Sequence, residues 1–244
     1  MPEMTSVERA VRAAFEHGHD INLHRHPIRF DFDVTLGALT LEGEVENIIA
    51  KKRAFEIASR IDGVEGVIDR LTVVPGERRG DGAVRDSFVQ ELLQEPALLP
   101  CTLRVHQKGK MEIVRAIPDA PDCAVEVSVQ DGIIRLNGHI PSLSHKRLAG
   151  VLAWWTPGCR DVVNSLVVTP PQADNDGEIA DALRLVLEKD PLVHADQIGI
   201  GVSNKTITLT GLVGTKEEKK MAELDAWYVF GVNEVINDIA VRLG

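Results

Sequence analysis

Polar and apolar residues alternate from Phe30 through Phe32 to Val34, and again at Leu39 and Leu41, which is the period of a strand with one buried face. From 47 to 61 the spacing becomes helical, with Ile48, Ala54, Ile57, Ala58 and Ile61 on one stripe. A short apolar run then opens at Val67-Ile68. The same succession recurs twice without gaps, from Gly132 and from Lys205. Leu41-Glu42-Gly43 matches Leu136-Asn137-Gly138 and Leu209-Thr210-Gly211. A second glycine follows each at one fixed offset, at Gly63, Gly158 and Gly231, then a valine at Val67, Val162 and Val235. Register held across a whole strand–helix–strand unit predicts a tandem repeat.

Within each copy, Leu36-Gly37, Asp131-Gly132 and Asn204-Lys205 interrupt the alternation and predict a β-hairpin, with Asn-Lys the weakest turn signal. Ser142 is placed to cap the second helix, and Thr215 with Glu218 forms a capping box for the third. Gly63, Gly158 and Gly231 stand where each helix stops, which suits a left-handed residue. A further amphipathic helix precedes each copy, over 5–17, 83–94 and 176–189. The chain is therefore expected to be α+β: three tandem α-β-β-α-β modules, each a three-stranded mixed sheet covered on one face by two helices. The expected bounds are 1–78, 79–170 and 171–244. The first two repeat spacings differ because an extra hairpin, about 96–122, is inserted in the second module. In it Thr102–His106 and Met111–Val114 flank Gln107-Lys108-Gly109-Lys110.

These residues resemble the BON domain, named for an osmotically inducible periplasmic protein and a nodulation protein. The resemblance rests on the L-x-G closing the hairpin, the Ala-rich helix, the G-V-x-x-V after it and the last aliphatic strand. It implies a non-enzymatic α/β binding module. BON proteins are commonly envelope-associated and proposed to attach to phospholipid, and some cytoplasmic members sense potassium.

Charge narrows the partners. The chain carries a net charge of −10. Residues 1–80 hold 11 basic and 14 acidic side chains, 81–170 hold 9 and 10, and 171–244 hold 7 and 13. No segment is basic, so nucleic-acid binding is not expected. No export signal or 18-residue apolar stretch is seen, so the cytoplasm is the expected location, or the periplasm if the sequence is a processed form, and no spanning helix is expected. Cys101, Cys123 and Cys159 are odd in number and lack metal-ligand spacing. They suit a reducing compartment, where a disulfide is rare.

Four features are candidates for chemistry. His17, His19, His24 and His26 lie within ten residues and are candidate metal ligands, though the stretch also reads as a helix end leading into a strand. Basic pairs at one register in the three helices, Lys51-Lys52, Lys146-Arg147 and Lys219-Lys220, form an anion- or lipid-binding stripe if they face one way. The favoured reading is a solvated helix face with partners such as Glu56 and Glu223. Trp154-Trp155 and Trp227-Tyr228 occupy matching positions, so one of each pair is expected in the core and the other against a neighbouring module, a partner or a headgroup. The six register glycines are structural. No nucleophile elbow, Walker loop or paired-cysteine motif occurs, and Glu42, Asp69 and Asp161 stand as isolated carboxylates.

No cofactor and no enzymatic activity are expected. The reading is a binding or scaffold protein for phospholipid or a protein partner, in a stress or envelope-linked role. A sensor binding an ion such as potassium at an inter-module cleft and a self-associating structural scaffold are the alternatives.

Overall fold

The computed structural model describes residues 6–18, 21–118 and 123–242. The chain divides into two compact units, 1–74 and 75–244.

The first unit is one module. Its elements are α1 (Ser6–His17), β1 (Ile28–Asp33), β2 (Ala38–Val45), α2 (Ile48–Ser59) and β3 (Gly66–Val73). β1 pairs antiparallel with β2, and β3 joins the other side of β2 in parallel. Strand alternation puts Leu39 and Leu41 under the helices, where they meet Val11 and Phe15 of α1, Ala54 and Ala58 of α2, and Leu71. Phe15 meets Phe30 edge-on at 5.4 Å between ring centroids.

The second unit holds two modules. The first contains α3 (Asp81–Gln94), β4 (Thr102–Gln107), β5 (Lys110–Arg115), β6 (Ala124–Gln130), β7 (Ile133–Ile140), α4 (Leu143–Trp155), β8 (Asp161–Asn164) and β9 (Val167–Val168). The second contains α5 (Asp176–Lys189), β10 (Ile198–Ser203), β11 (Thr206–Val213), α6 (Lys216–Tyr228), β12 (Glu234–Asn237) and β13 (Ala240–Val241). Both repeat the antiparallel–parallel order of the first module. The inserted hairpin is not a separate arm. β4 runs parallel to β6, so the sheet of the second module extends to β5-β4-β6-β7-β8.

The hairpin turns differ by chemistry. Asp131 and Gly132 have φ of 55° and 75°, and Asn204 and Lys205 have φ of 50° and 62°, the positive pair of a two-residue turn. The unfavourable lysine is held by Asp176 at the start of α5, whose carboxylate accepts from the amides of Asn204 and Lys205 at 2.8 and 2.9 Å. Asp81 does the same for Asp131 and Gly132 at 3.0 and 2.8 Å. In the first module the turn is local instead, with Asp33 accepting from Thr35 and Leu36.

The first glycine of each pair closes the hairpin because a side chain does not fit there. A Cβ on Gly138 would lie 2.1 Å from the carbonyl oxygen of Ala124, and one on Gly211 would lie 2.0 Å from that of Gln197. Gly43 is in a similar conformation, at φ +150°. Gly63, Gly158 and Gly231 have φ of 88–90°, the left-handed geometry expected after the helices.

The last strand is pinned to its helix by one side chain at the same register in each module. Asn164 donates to the Lys146 carbonyl at 2.8 Å and accepts from the Leu166 amide, and Asn237 treats Lys219 and Ile239 alike. In the first module this position is Asp69, which accepts from the Leu71 amide and pairs with the Lys51 ammonium at 3.1 Å. Asp69 is therefore not isolated, and neither is Glu42, which pairs with Arg29 across the β1–β2 ladder. Both partners are cross-element neighbours, invisible to local spacing.

The cysteines also depart from expectation. Cys101 and Cys123 form a disulfide, with Cα atoms 4.6 Å apart, and Cys159 is free and buried. The fold brings them together because the two residues bracket the insertion: Thr102 donates to the Cys123 carbonyl where β4 starts beside β6. Burial pushes the Cys159 thiol up to about 12, so it is not a reactive thiolate.

Candidate functional site

The basic pairs have separate fates. In the first module the Lys51 ammonium is buried and donates to the Leu71 carbonyl as well as pairing with Asp69. Lys52 is half-buried, and burial lowers its ammonium pKa to about 8. In the third module Lys219 donates to the Ile239 carbonyl at 2.7 Å, while Lys220 is exposed. In the second module Lys146 lies over the Phe230 ring, 5.4 Å from its centroid. Arg147 is fully buried: its Nε donates to the Phe230 carbonyl at 3.0 Å and its Nη2 pairs with Asp174 at 2.6 Å. Four of these six side chains, Lys51, Lys146, Arg147 and Lys219, turn to carbonyls, carboxylates or a ring within their own unit.

Arg147 belongs to a polar junction between the second and third modules, where α4 packs on α5 and α6. The Phe230 carbonyl lies just beyond the C-terminus of α6, where a guanidinium satisfies the partial negative charge of the helix end. Trp155 Nε1 donates to Asp225 at 2.9 Å, and Trp154 stacks on Tyr228 at 5.6 Å and 18°. Trp227 is buried in the core, so three of the four matched aromatics face the neighbouring module. Lys189 of α5 pairs with the buried Glu95 at the end of α3 at 2.9 Å. Asp225 is fully buried, and among the described residues no donor reaches its second carboxyl oxygen, Oδ2. Desolvation first, then the charge of Asp190, pushes its pKa up to about 8.

Beside the second module's first helix lies a cleft of about 180 Å³ lined by Arg78, Arg79 and Arg160 with Pro75, Asp81, Asp131, Gly132 and Gly158. Two glycines make it. A Cβ on Gly132 would meet Arg160 Cδ at 2.8 Å, and one on Gly158 would meet Arg79 Cβ at 2.9 Å. Their absence lets both arginine stems lie against the backbone. Arg160 Nη1 donates to the Asp131 carbonyl at 3.0 Å, and Arg79 pairs with Glu77 at 2.8 Å. The carboxylate of Asp81 is spent on the hairpin amides. Sequence spacing does not reveal this cluster, since Arg78 and Arg79 sit in a linker and Arg160 follows a helix, 81 residues after Arg79.

The described histidines have separate surroundings. His17 Nδ1 lies 2.7 Å from the Ala13 carbonyl on α1. His24 is exposed and His26 half-buried in the turn before β1, and His19 lies outside the described residues. Among the described residues no group of three or more His, Cys, Asp or Glu is placed to hold a metal ion.

The BON domain profile matches residues 6–75, 110–170 and 175–242. Comparison with curated proteins finds no match. Among solved structures, a match is the C-terminal domain of CdsD, the structural protein of the type III secretion system of Chlamydia trachomatis. It is 17% identical, with 99% of this chain and 100% of that chain covered and a TM-score of 0.24. A second CdsD structure from the same organism is 16% identical over 98% and 93% of the two chains, also at 0.24. The repeated register, the repeated strand order and the three profile matches agree, and the chain belongs to the BON domain family, with three such domains in tandem.

Proposed function

We propose that this chain is a non-enzymatic binding protein whose arginine-lined cleft receives the phosphate of an anionic lipid headgroup, in an envelope-linked role. The observation that carries the reading is the convergence of Arg78, Arg79 and Arg160 on one cleft of a chain whose net charge is −10. Guanidinium forks match phosphate oxygens in pairs, and they do so best where the stem is held. The overall charge opposes nonspecific attraction to an anionic surface, so binding rests on this local group and falls as salt rises. Among the described residues no helix is long and apolar enough to cross a membrane, which fits a peripheral contact. The Cys101–Cys123 bond supports an oxidising compartment over a reducing one.

Co-sedimentation with vesicles tests the proposal. The chain is expected to pellet with phosphatidylglycerol-containing vesicles at low salt and not with phosphatidylcholine alone. The triple variant Arg78→Gln, Arg79→Gln, Arg160→Gln is expected to stay in solution. No pelleting of the unaltered chain at low salt, or equal pelleting of the triple variant, overturns it.

A further inference from the structure

The inserted hairpin moves the outer edge of its sheet to β5, whereas the other two sheets end on β1 and β10. β5 is the outermost strand of its sheet, and among the described residues no strand pairs with its outer side. Its residues are almost all exposed, including Met111 at 40%, Ile113 at 63% and Val114 at 43%. The hairpin is nevertheless held firmly. Leu103 and Val105 of β4 are buried, the disulfide joins its two roots, and Arg115 donates to the carbonyls of Leu92, Leu98 and Cys101. A rigid apolar strand edge with unpaired amides and carbonyls is a template for another strand.

The edge also carries a charge pattern. The β4–β5 ladder shifts register between Leu103 and Arg104, which leaves Val114 as the extra residue and limits the regular stretch of β5 to 110–113. In a two-fold antiparallel pair, identical strands cross at a single residue. Crossing at Glu112 sets two like charges opposite each other, which is destabilising. Crossing at Met111 sets Lys110 opposite Glu112 of the second copy, and Glu112 opposite its Lys110, with the two Met111 side chains meeting at the axis. Both charges are exposed on the strand, so the match is available without rearrangement.

We propose that β5 is a self-association edge, pairing antiparallel with β5 of a second copy of this chain in the register centred on Met111. The pairing joins two six-stranded sheets edge to edge, independently of any headgroup in the arginine cleft. The contact is short, so it forms reversibly and weakens with salt.

Sedimentation equilibrium of the full chain over a wide concentration range tests this. The apparent mass is expected to rise from the monomer's 26.7 kDa toward twice that value. Lys110→Glu alone and Glu112→Lys alone are each expected to hold the chain at monomer mass, because each creates like-charge pairs across the axis. An equimolar mixture of the two variants is expected to recover the dimer, as is the double variant. An unaltered chain that remains monomeric throughout overturns the proposal. So does a dimer that neither single variant weakens, or single variants that the mixture does not rescue.

Discussion

Replacing Asp225 by asparagine should stabilise the protein, and only above acidic pH. Asp225 is fully buried on α6 and accepts from Trp155 Nε1 at 2.9 Å, and among the described residues no donor reaches its Oδ2. Around it stand Asp190 at the end of α5, itself buried and accepting from the Leu192 amide, and the hydroxyl of Tyr228, raised to about 12. Burial, with the Asp190 charge second, lifts the Asp225 pKa from 3.8 to about 8. The folded state thus keeps a proton that the unfolded chain releases near pH 4. That contribution to stability is complete below the unfolded pKa, is lost progressively as pH rises, and is gone once the folded pKa is passed. The slope is about 1.4 kcal/mol per pH unit, so the window spans roughly 6 kcal/mol at most. Asparagine is neutral at every pH, with an oxygen for Trp155 and an amide for Asp190. Urea unfolding followed by tryptophan fluorescence suits the test, since all three tryptophans lie at 154, 155 and 227. From about pH 4.5 the gap between Asp225→Asn and the unaltered protein should open in favour of the variant and level off above about pH 8. A gap constant with pH would refute the reasoning.

Three further outcomes are expected. The double variant Cys101→Ser, Cys123→Ser should lose about 3 kcal/mol, the loop-closure entropy of a 22-residue separation, and the unaltered chain in reductant should match it in denaturant midpoint; no loss contradicts this. Arg147→Ala should cost roughly 3 kcal/mol by chemical denaturation, because Asp174 and the Phe230 carbonyl lose their donor, whereas Arg147→Met, similar in volume, should cost clearly less. Gly138→Ala and Gly211→Ala should sharply lower the melting temperature, because each Cβ strikes a backbone carbonyl, while Gly66→Ala, with nothing within 4 Å, should be close to neutral.

The module was legible because its determinants are local and periodic. Alternation, helical stripes, Ser142, Thr215 and the glycine register all mark features that the structure places where spacing predicts them. The inserted hairpin was legible as a hairpin, but not its parallel pairing with β6, since register against a distant strand leaves no local trace. The basic pairs show the limit most clearly. Lys51, Lys146 and Lys219 share one position, yet only Lys51 and Lys219 reach the equivalent backbone carbonyl, Lys51 with an aspartate beside it, while Lys146 lies over a ring, according to what each helix packs against. Asp190 and Asp225 lie 35 positions apart, and nothing in either neighbourhood announces that they share a buried site. The arginine cleft depends on Gly132 and Gly158 as much as on its arginines, and a missing side chain is hard to read as a wall.

The structure makes the second and third BON domains one mechanical unit, bolted by Arg147, Trp155 and the Lys189–Glu95 pair. Hydrogen exchange of the full chain in rising sub-denaturing urea tests that directly. Amides of α4 and of α6 should lose protection together, with one free energy and one urea dependence. Protection lost in α6, β11 and β12 at clearly lower urea than in α4, β6 and β7 would show two separately folding domains and contradict it.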